Sequence, residues 1–572
     1  MSEKKKLTKA EKREQKQAKR QQKLERAAKR PLNRYFHHID RGSTLGREIV
    51  AGILVCILSV CGIFMNLQLI SSMLVTGSSA EASVADIAAN GELICQMYMF
   101  SMLAAFVGTL IMGVVARLPL AQIPSMGLST VLIASLGIGS GLTWQNLLAL
   151  CFVSSLVYLA VVAVPAVNRA VMGAIPKSVR RAAPAAIGVL LVFICLQLTG
   201  IVQAGSTSTV IQGVNSAAIN TKKFTSTLNG TVTGFSLFDF GSYISLGYKG
   251  DSFYPWIFTA MGGALTAAVA YLLTRRTKHP VMYSLLAGTV GFFIGYLTQV
   301  VFYMGKNGAI NFELDSLWGR LWMVGSEDAQ HLHLSYILNH LQLGEIFTNG
   351  FDFTAFTEAG GSVALLYATA ILTFLFMNLS VTDAVAGADE KQTGLALTCN
   401  AGINVLAPIF GVAPMAVTPA SVAGKRDGAK SGISAVVASI GFLISAFVWL
   451  IPFIFCTTTS YDIVFNLYGH YGTVIQMMTE QTSFLVADGV MAIVGLIMIG
   501  GAVKEGFADG AEAAPFLAVI LCAFFTMNLA FGMAAGMVTH LLVSIFNKDR
   551  QLTVGNGLAA AASLALIVVT LL

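Results

Sequence analysis

The sequence predicts an all-α polytopic membrane protein of fourteen membrane elements arranged as an inverted repeat, and three observations carry that expectation. Of its 572 residues, 55% are hydrophobic and 11% charged, with a mean hydropathy of +0.72, so most of the surface must use lipid as its solvent. Apolar runs near the roughly 20 residues that a helix needs to cross hydrocarbon recur along the whole chain. Two short segments interrupted by Pro and Gly, "LPLAQIPSMGLST" (Leu118 to Thr130) and "FGVAPMAVTPASVAG" (Phe410 to Gly424), lie in corresponding halves, with Pro124 and Pro414 290 residues apart. Such a pair points to an inverted-repeat transporter.

The elements follow in order. Residues 1–47 hold 16 Lys/Arg against 5 Asp/Glu, whereas the rest of the chain holds 20 against 24. This tail has no apolar core and no small-residue cleavage site, so it is not a secretory signal. It reads as a basic cytoplasmic segment near anionic lipid. It has no aromatic residue before Tyr35 for base stacking, and nucleic acid is not an expected partner. The apolar runs are 48–73, 93–116, 143–166, 182–202, 254–273, 280–304, 361–386, 395–411, 431–455, 484–503, 514–531 and 533–547. The broken segments, about 121–136 and 412–424, complete the fourteen. A last run from residue 558 is an extra span or an interfacial helix.

Charge in the short loops fixes the expected orientation. Arg169, Lys177, Arg180 and Arg181, then Arg275, Arg276 and Lys278, then Lys425, Arg426 and Lys430 fall on the tail's side. A multi-pass plasma-membrane protein with a cytoplasmic amino terminus follows. Two longer outer loops, 203–252 and 305–360, are polar, and His331 and His333 in the second do not amount to a metal site. The eight cysteines include no CxxC and read as small buried hydrophobes. No His/Asp/Glu cluster of catalytic spacing lies in the spans, so an enzyme is not expected, and neither is a cofactor.

The broken segments carry the functional reading. Non-helical backbone at membrane depth is tolerated only where protein or a water-filled cavity satisfies its N–H and C=O groups. Such backbone makes a polar site at the midplane. Asp383 is the acid nearest to it, and an acid at membrane depth is a functional candidate; pairing with Lys391 or capping a backbone group is the structural alternative. Asn378, Asn400 and Asn404 suit interhelical hydrogen bonding at least as well as solute contact.

"RGSTLGREIVAGI", "LPLAQIPSMGLST", "AIPKSVRRAAPAAIGVLLVFICLQLTGIV", "FGVAPMAVTPASVAGKRDGAKSG" and "PFLAVILCAFFTMNLAFGMAAG" resemble, in this order, the AzgA-like purine permeases of the nucleobase/xanthine-uracil permease superfamily. The resemblance runs from about residue 41 to 550. It implies a seven-plus-seven inverted repeat with core and gate domains. The third and tenth elements would begin as short antiparallel strands, and a base would bind between them and the eighth helix. The implied divisions are a basic tail (1–47), the first core half (48–170), the first gate half (171–304) and an outer-loop insertion (305–360). The second core half (361–456), an outer loop with the second gate half (457–550) and a hydrophobic carboxy-terminal segment (551–572) follow.

The sequence departs from the family pattern where it matters most. Laying a "TTYIESAAG"-like motif on "AVTPASVAG" puts Ala420 where the family has a carboxylate, and the "FFDTTGT" motif puts Ser380 at its acidic position. "PGMGLNAFF" becomes "PSMGLSTVL", with Ser125 and Ser129 replacing Gly and Asn. The resemblance therefore implies a solute site of Ser125, Met126, Gly127, Ser129, Asn378, Ser380, Thr418, Ala420 and Ser421, with Asp383 as the coupling acid. The implied function is secondary active transport of a purine or related nucleobase, coupled to a proton or sodium ion, with a homodimer as a candidate assembly. The alternatives are an uncoupled channel-like or sensory membrane protein, or a carrier of another small solute or anion, on the same scaffold.

Overall fold

A computed structural model of the protein describes residues 31–76, 84–131, 143–198, 253–307, 351–354, 361–386, 390–447, 485–506, 510–526, 528–546 and 553–571. The tail before residue 31, the loop 203–252, most of the loop 305–360 and the outer loop 457–482 lie outside the described residues.

The order is α1 (Pro31–Phe36), α2 (Leu45–Thr76), α3 (Val84–Val114), β1 (Gln122–Pro124), α4 (Met126–Val131), α5 (Trp144–Ala163), α6 (Pro165–Ala174), α7 (Lys177–Leu198), α8 (Phe253–Thr274) and α9 (Pro280–Asn307). Then come α10 (Gly361–Ala386), α11 (Glu390–Leu406), a 3₁₀ turn (Ala407–Phe410), β2 (Met415–Val417), α12 (Ala420–Arg426) and α13 (Gly432–Phe447). The chain ends in α14 (Leu485–Gly506), α15 (Gly510–Thr526), α16 (Leu529–Phe546) and α17 (Val554–Leu571). Among the described residues the protein is thus predominantly helical with one antiparallel strand pair. Among the described residues four stretches, Trp144–Ala163, Lys177–Cys195, Gln392–Phe410 and Leu529–Phe546, are long and apolar enough to cross a membrane by length and composition.

The helices sort into two packed groups. Helices α2, α3, α5 and α10 to α13 enclose the strands, while α7, α8, α9, α14, α15 and α16 pack on one another, with α8 on α9 and α7 on α14 most extensively. The groups meet where α10 lies on α7 and α16, and where α9 and α14 reach α2 and α12. Leu265, Leu272, Leu273, Leu286, Val290 and Ile294 expose an apolar outer surface on α8 and α9, as expected of helices whose solvent is lipid. Lipid gives apolar helices no hydrophobic reason to associate, so close approach through small residues must hold them. A Cβ on Gly432 of α13 would strike the Gly113 carbonyl of α3, and Gly188 of α7 meets Gly495 of α14 in the same way. Helix α17 packs on α16, α10 and α6, burying Ala560 and Leu566.

Both broken segments meet in one ladder. Gln122 pairs with Val417, Ile123 with Ala416 and Pro124 with Met415, antiparallel. The Ser125 amide donates to the Pro414 carbonyl at 2.7 Å and the Thr418 amide to the Ala121 carbonyl at 2.9 Å, closing the two ends alike. The backbone groups of Ala121, Ile123 and Ser125 thus face the ladder, and those of Gln122 and Pro124 face away. Pro124 therefore loses no ladder bond for lacking an N–H.

The outward edges have side-chain partners. On β1, the Gln122 amide donates to Thr109 Oγ1 (2.9 Å), and Thr109 Oγ1 donates back to the Gln122 carbonyl (3.2 Å). On β2, Asn404 accepts from the Met415 amide (2.8 Å) and donates to the Met415 carbonyl (2.7 Å), so its carboxamide serves as a third strand one residue long. Asn400 Nδ2 donates to Gln122 Oε1 at 2.9 Å, and Tyr158 Oη donates to Asn400 Oδ1 at 3.1 Å. Gln122, Asn400, Asn404 and Tyr158 are all fully buried.

Leaving a buried backbone donor or acceptor without a partner costs roughly 1–3 kcal/mol. Asn404→Leu should orphan the Met415 amide, leave its carbonyl only the longer bond from Asn400 Nδ2 (3.3 Å), and lower the thermal midpoint in detergent by several degrees, while Val167→Ala, at an exposed position of α6, should leave it within a degree of the parent. Equal midpoints for Asn404→Leu and the parent would show that the side chain does not hold β2.

Candidate functional site

The strand pair leads into two short helices at its opposite ends, α4 after β1 and α12 after β2. Ser125 Oγ accepts from the Leu128 amide (3.3 Å) and begins α4. On the other side, Thr418 Oγ1 accepts from the Ala420 amide (3.2 Å), and Ser421 Oγ accepts from the Ala121 amide (2.9 Å), pinning α12 to β1. Ser129 Oγ accepts from Asn66 Nδ2 of α2 at 2.7 Å. Thr418, Ala420, Ser421 and Ser129 are buried. Three of the expected hydroxyls, those of Thr418, Ser421 and Ser129, are thus engaged in building the scaffold.

The residues that keep exposed surface are different. Ser125 is part-exposed and Gly127 exposed, and a Cβ on Gly127 would come within 3.2 Å of Met377 Cε on α10. Met126 begins α4 at the same place. Asn378 and Ser380, two residues apart on α10, project to different faces. Asn378 Nδ2 donates back to the Phe374 carbonyl at 3.2 Å, and its Oδ1 is buried without a partner among the described residues. Ser380 lies on the side that faces the second helix group, and its buried Oγ also has no partner among the described residues.

Ser380 lines a small, partly open pocket between the two helix groups, with room for little more than a water molecule. Leu379 and Asp383 of α10 form one wall; Arg180 and Ala183 of α7, Ile175, Met172 of α6 and Met533 of α16 form the others. Asp383, one turn beyond Ser380 on the same face, is held by Arg180: Nε donates to Oδ2 and Nη2 to Oδ1, both at 2.8 Å. A bidentate guanidinium–carboxylate pair is strong and directional. The pair joins a helix of one group to a helix of the other; the Lys391 side chain lies outside the described residues.

Sequence reasoning used Arg180 only as a loop charge. No local signal ties it to an acid 203 residues away; the common feature is that each lies at a helix end on the tail's side. Asn66, a lone amide in an apolar run, was a legible signal that went unused. Asn400 and Asn404 prove to be strand supports, the structural of the two expectations. Among the described residues no group of His, Cys, Asp and Glu could hold a metal ion.

No family model matches the chain. Among curated proteins it is similar to the guanine/hypoxanthine permease PbuG of Bacillus subtilis (strain 168), 22% identical over 449 residues, which are 77% of this chain and 80% of that protein. It is likewise similar to the guanine/hypoxanthine permease PbuO of the same organism, 20% identical over 522 residues, 89% of this chain and 93% of that one. Among solved structures it is similar to the transmembrane domain of a cyanobacterial bicarbonate transporter, BicA, at 13% identity and a TM-score of 0.38, covering 86% of this chain and 96% of that one. At that score the likeness carries no argument.

The geometry separates wall from scaffold. A cysteine at Ser125 or Gly127 should react with a small maleimide in detergent at least tenfold faster than one at Ser421. Equal rates at all three positions would mean that the start of α4 is no more accessible than the buried end of α12.

Proposed function

From its standing as a divergent relative of the nucleobase permeases, we infer that this membrane protein is a secondary transporter of a purine-type nucleobase, with the bound base between the start of α4 and the Met377–Ser380 face of α10. The observation that carries this reading is the relation to two guanine/hypoxanthine permeases over 77% and 89% of the chain. The cleft supports it, because it sits between a strand-bearing helix group and a second group, the arrangement that alternating access requires. A flat heterocycle would lie against Gly127, where the missing side chain leaves room, and meet the hydroxyls of Ser125 and Ser380. Ser129, Asn378, Thr418, Ala420 and Ser421 would shape the site from behind. Movement of a core (α2–α5, α10–α13) against a gate (α7–α9, α14–α16) would carry the base across, in the plasma membrane, with the amino-terminal face cytoplasmic.

Asp383 would couple transport to a proton. Protonation removes the charge that Arg180 binds, so the tie between α10 and α7 weakens when a proton arrives and reforms when it leaves. A second reading has its own observation: Ala420 and Ser380 stand where the resembling family has carboxylates, and Asp383 is already committed to Arg180. In that reading the protein equilibrates its solute without coupling.

Uptake of labelled guanine by proteoliposomes under an imposed pH gradient separates the two. Coupled transport predicts accumulation that an uncoupler collapses and that Asp383→Asn abolishes while equilibration persists. Uncoupled transport predicts equilibration alone, in parent and variant. Gly127→Trp should remove uptake in both cases without loss of folded protein. Guanine uptake no greater than in empty liposomes would overturn the assignment.

A further inference from the structure

The segment "GKRDGAK" (Gly424–Lys430) leaves the half-helix α12 and runs to α13, and its charges meet helix ends of matching polarity. Lys425 Nζ donates to the Val385 carbonyl (2.7 Å) and to that of Ala386, at the carboxy end of α10. Arg426 Nη2 donates to the Arg275 carbonyl (3.3 Å), just past the end of α8. Asp427 accepts from the Val281 amide on Oδ1 and from the Met282 amide on Oδ2, each at 2.9 Å, at the start of α9. Positive side chains close carboxy ends and a carboxylate closes an amino end, as the helix dipole favours.

The loop itself is fixed to the strand-bearing group. Glu48 of α2 accepts from the Lys430 (2.9 Å) and Ser431 (3.1 Å) amides, and Ser43 Oγ donates to the Gly428 carbonyl (2.8 Å). Gly428 turns at φ +105°, with Arg47 packed where a Cβ would stand, a conformation few other residues adopt. Arg426 and Asp427 therefore grip both sides of the α8–α9 turn from a loop that moves with α2 and α13.

We propose that Asp427 is a strap: its two bonds to α9 restrain relative movement of the two helix groups on the amino-terminal face, and widening of the cleft there requires breaking them. Asp427 has no exposed surface. Burial pushes its carboxyl up to about 6, although the Val281 and Met282 amides and Arg426 act against that. At neutral pH it is therefore ionised, and both oxygens accept. A helix cap of ordinary kind would come from the preceding residue of the same chain. Here that residue is His279, whose carbonyl accepts from the Tyr283 amide at 3.1 Å, and the cap comes instead from 145 residues away. The inference rests on the two-group movement inferred above but not on which solute is carried.

The reporter is a cysteine at Ser380, labelled with a membrane-impermeant maleimide in nanodiscs at pH 7.5. Asp427→Ala should raise its labelling rate about tenfold. Because that variant also uncaps α9, the deciding protein is Asp427→Ala with His279→Asp, which restores a cap from α9's own chain without the carboxylate's tie across the groups. His279→Asp alone, which removes only the imidazole's bond to the Asp427 backbone, is the control and should label near the parental rate. The strap predicts recovered thermal stability with labelling still about tenfold fast. Labelling at the parental rate in the double variant would reduce Asp427 to a helix cap and overturn the proposal. A double variant that labels fast and leaves guanine uptake absent in every protein, parent included, would sink the transport assignment while leaving the strap standing.

Discussion

Everything in this structure depends on satisfying extended backbone where water is scarce. A helix closes its own hydrogen bonds; a three-residue strand cannot, and in a low-dielectric interior each open group is expensive. The chain meets that cost by pairing its two broken segments with each other, so that Ser125 bonds Pro414 and Thr418 bonds Ala121. Asn404, Asn400, Gln122, Thr109 and Ser421 then take up the remaining edges. Because these amides and hydroxyls are consumed, few polar groups of the two broken segments remain uncommitted; Ser125 and Gly127 keep exposed surface, and Ser380 with the Arg180–Asp383 pair lines the pocket between the helix groups.

The same economy governs the amino-terminal face. Helices that end near one another present carboxy-end carbonyls and amino-end amides, and the loop after α12 answers them with Lys425, Arg426 and Asp427 in turn. Arg41 adds bonds to the Arg117 and Lys430 carbonyls at 2.9 and 3.1 Å, and Tyr35 lies under Arg117 with the guanidinium carbon 4.3 Å from its ring centre. The loop charges thus have structural partners. They fasten helix ends within a group and, through Asp427 and Arg180, between groups.

Much of the architecture was legible in sequence, for a physical reason. Apolar length marks helices, and Pro124, Gly127, Pro414 and Pro419 mark where a helix cannot run. The pairing of β1 with β2 was implied only by family resemblance, because strands of three residues leave no periodicity to read. The site was less legible. Hydroxyls at 418, 421 and 129 look like solute ligands in a string of letters, and only the fold reveals that backbone amides and Asn66 already hold them. Asp383 stood out as an acid at depth, but its partner lies on another helix, and opposite charges far apart in sequence carry no mark of contact.

The central claim is that the paired broken segments and α10 bound one solute site. A cryo-EM map of the protein with guanine at saturating concentration tests it most directly. The account predicts base-shaped density between the first turn of α4 and the Met377–Ser380 face of α10, absent from the ligand-free map. Guanine density anywhere else, with that cleft unchanged between the two maps, would contradict it.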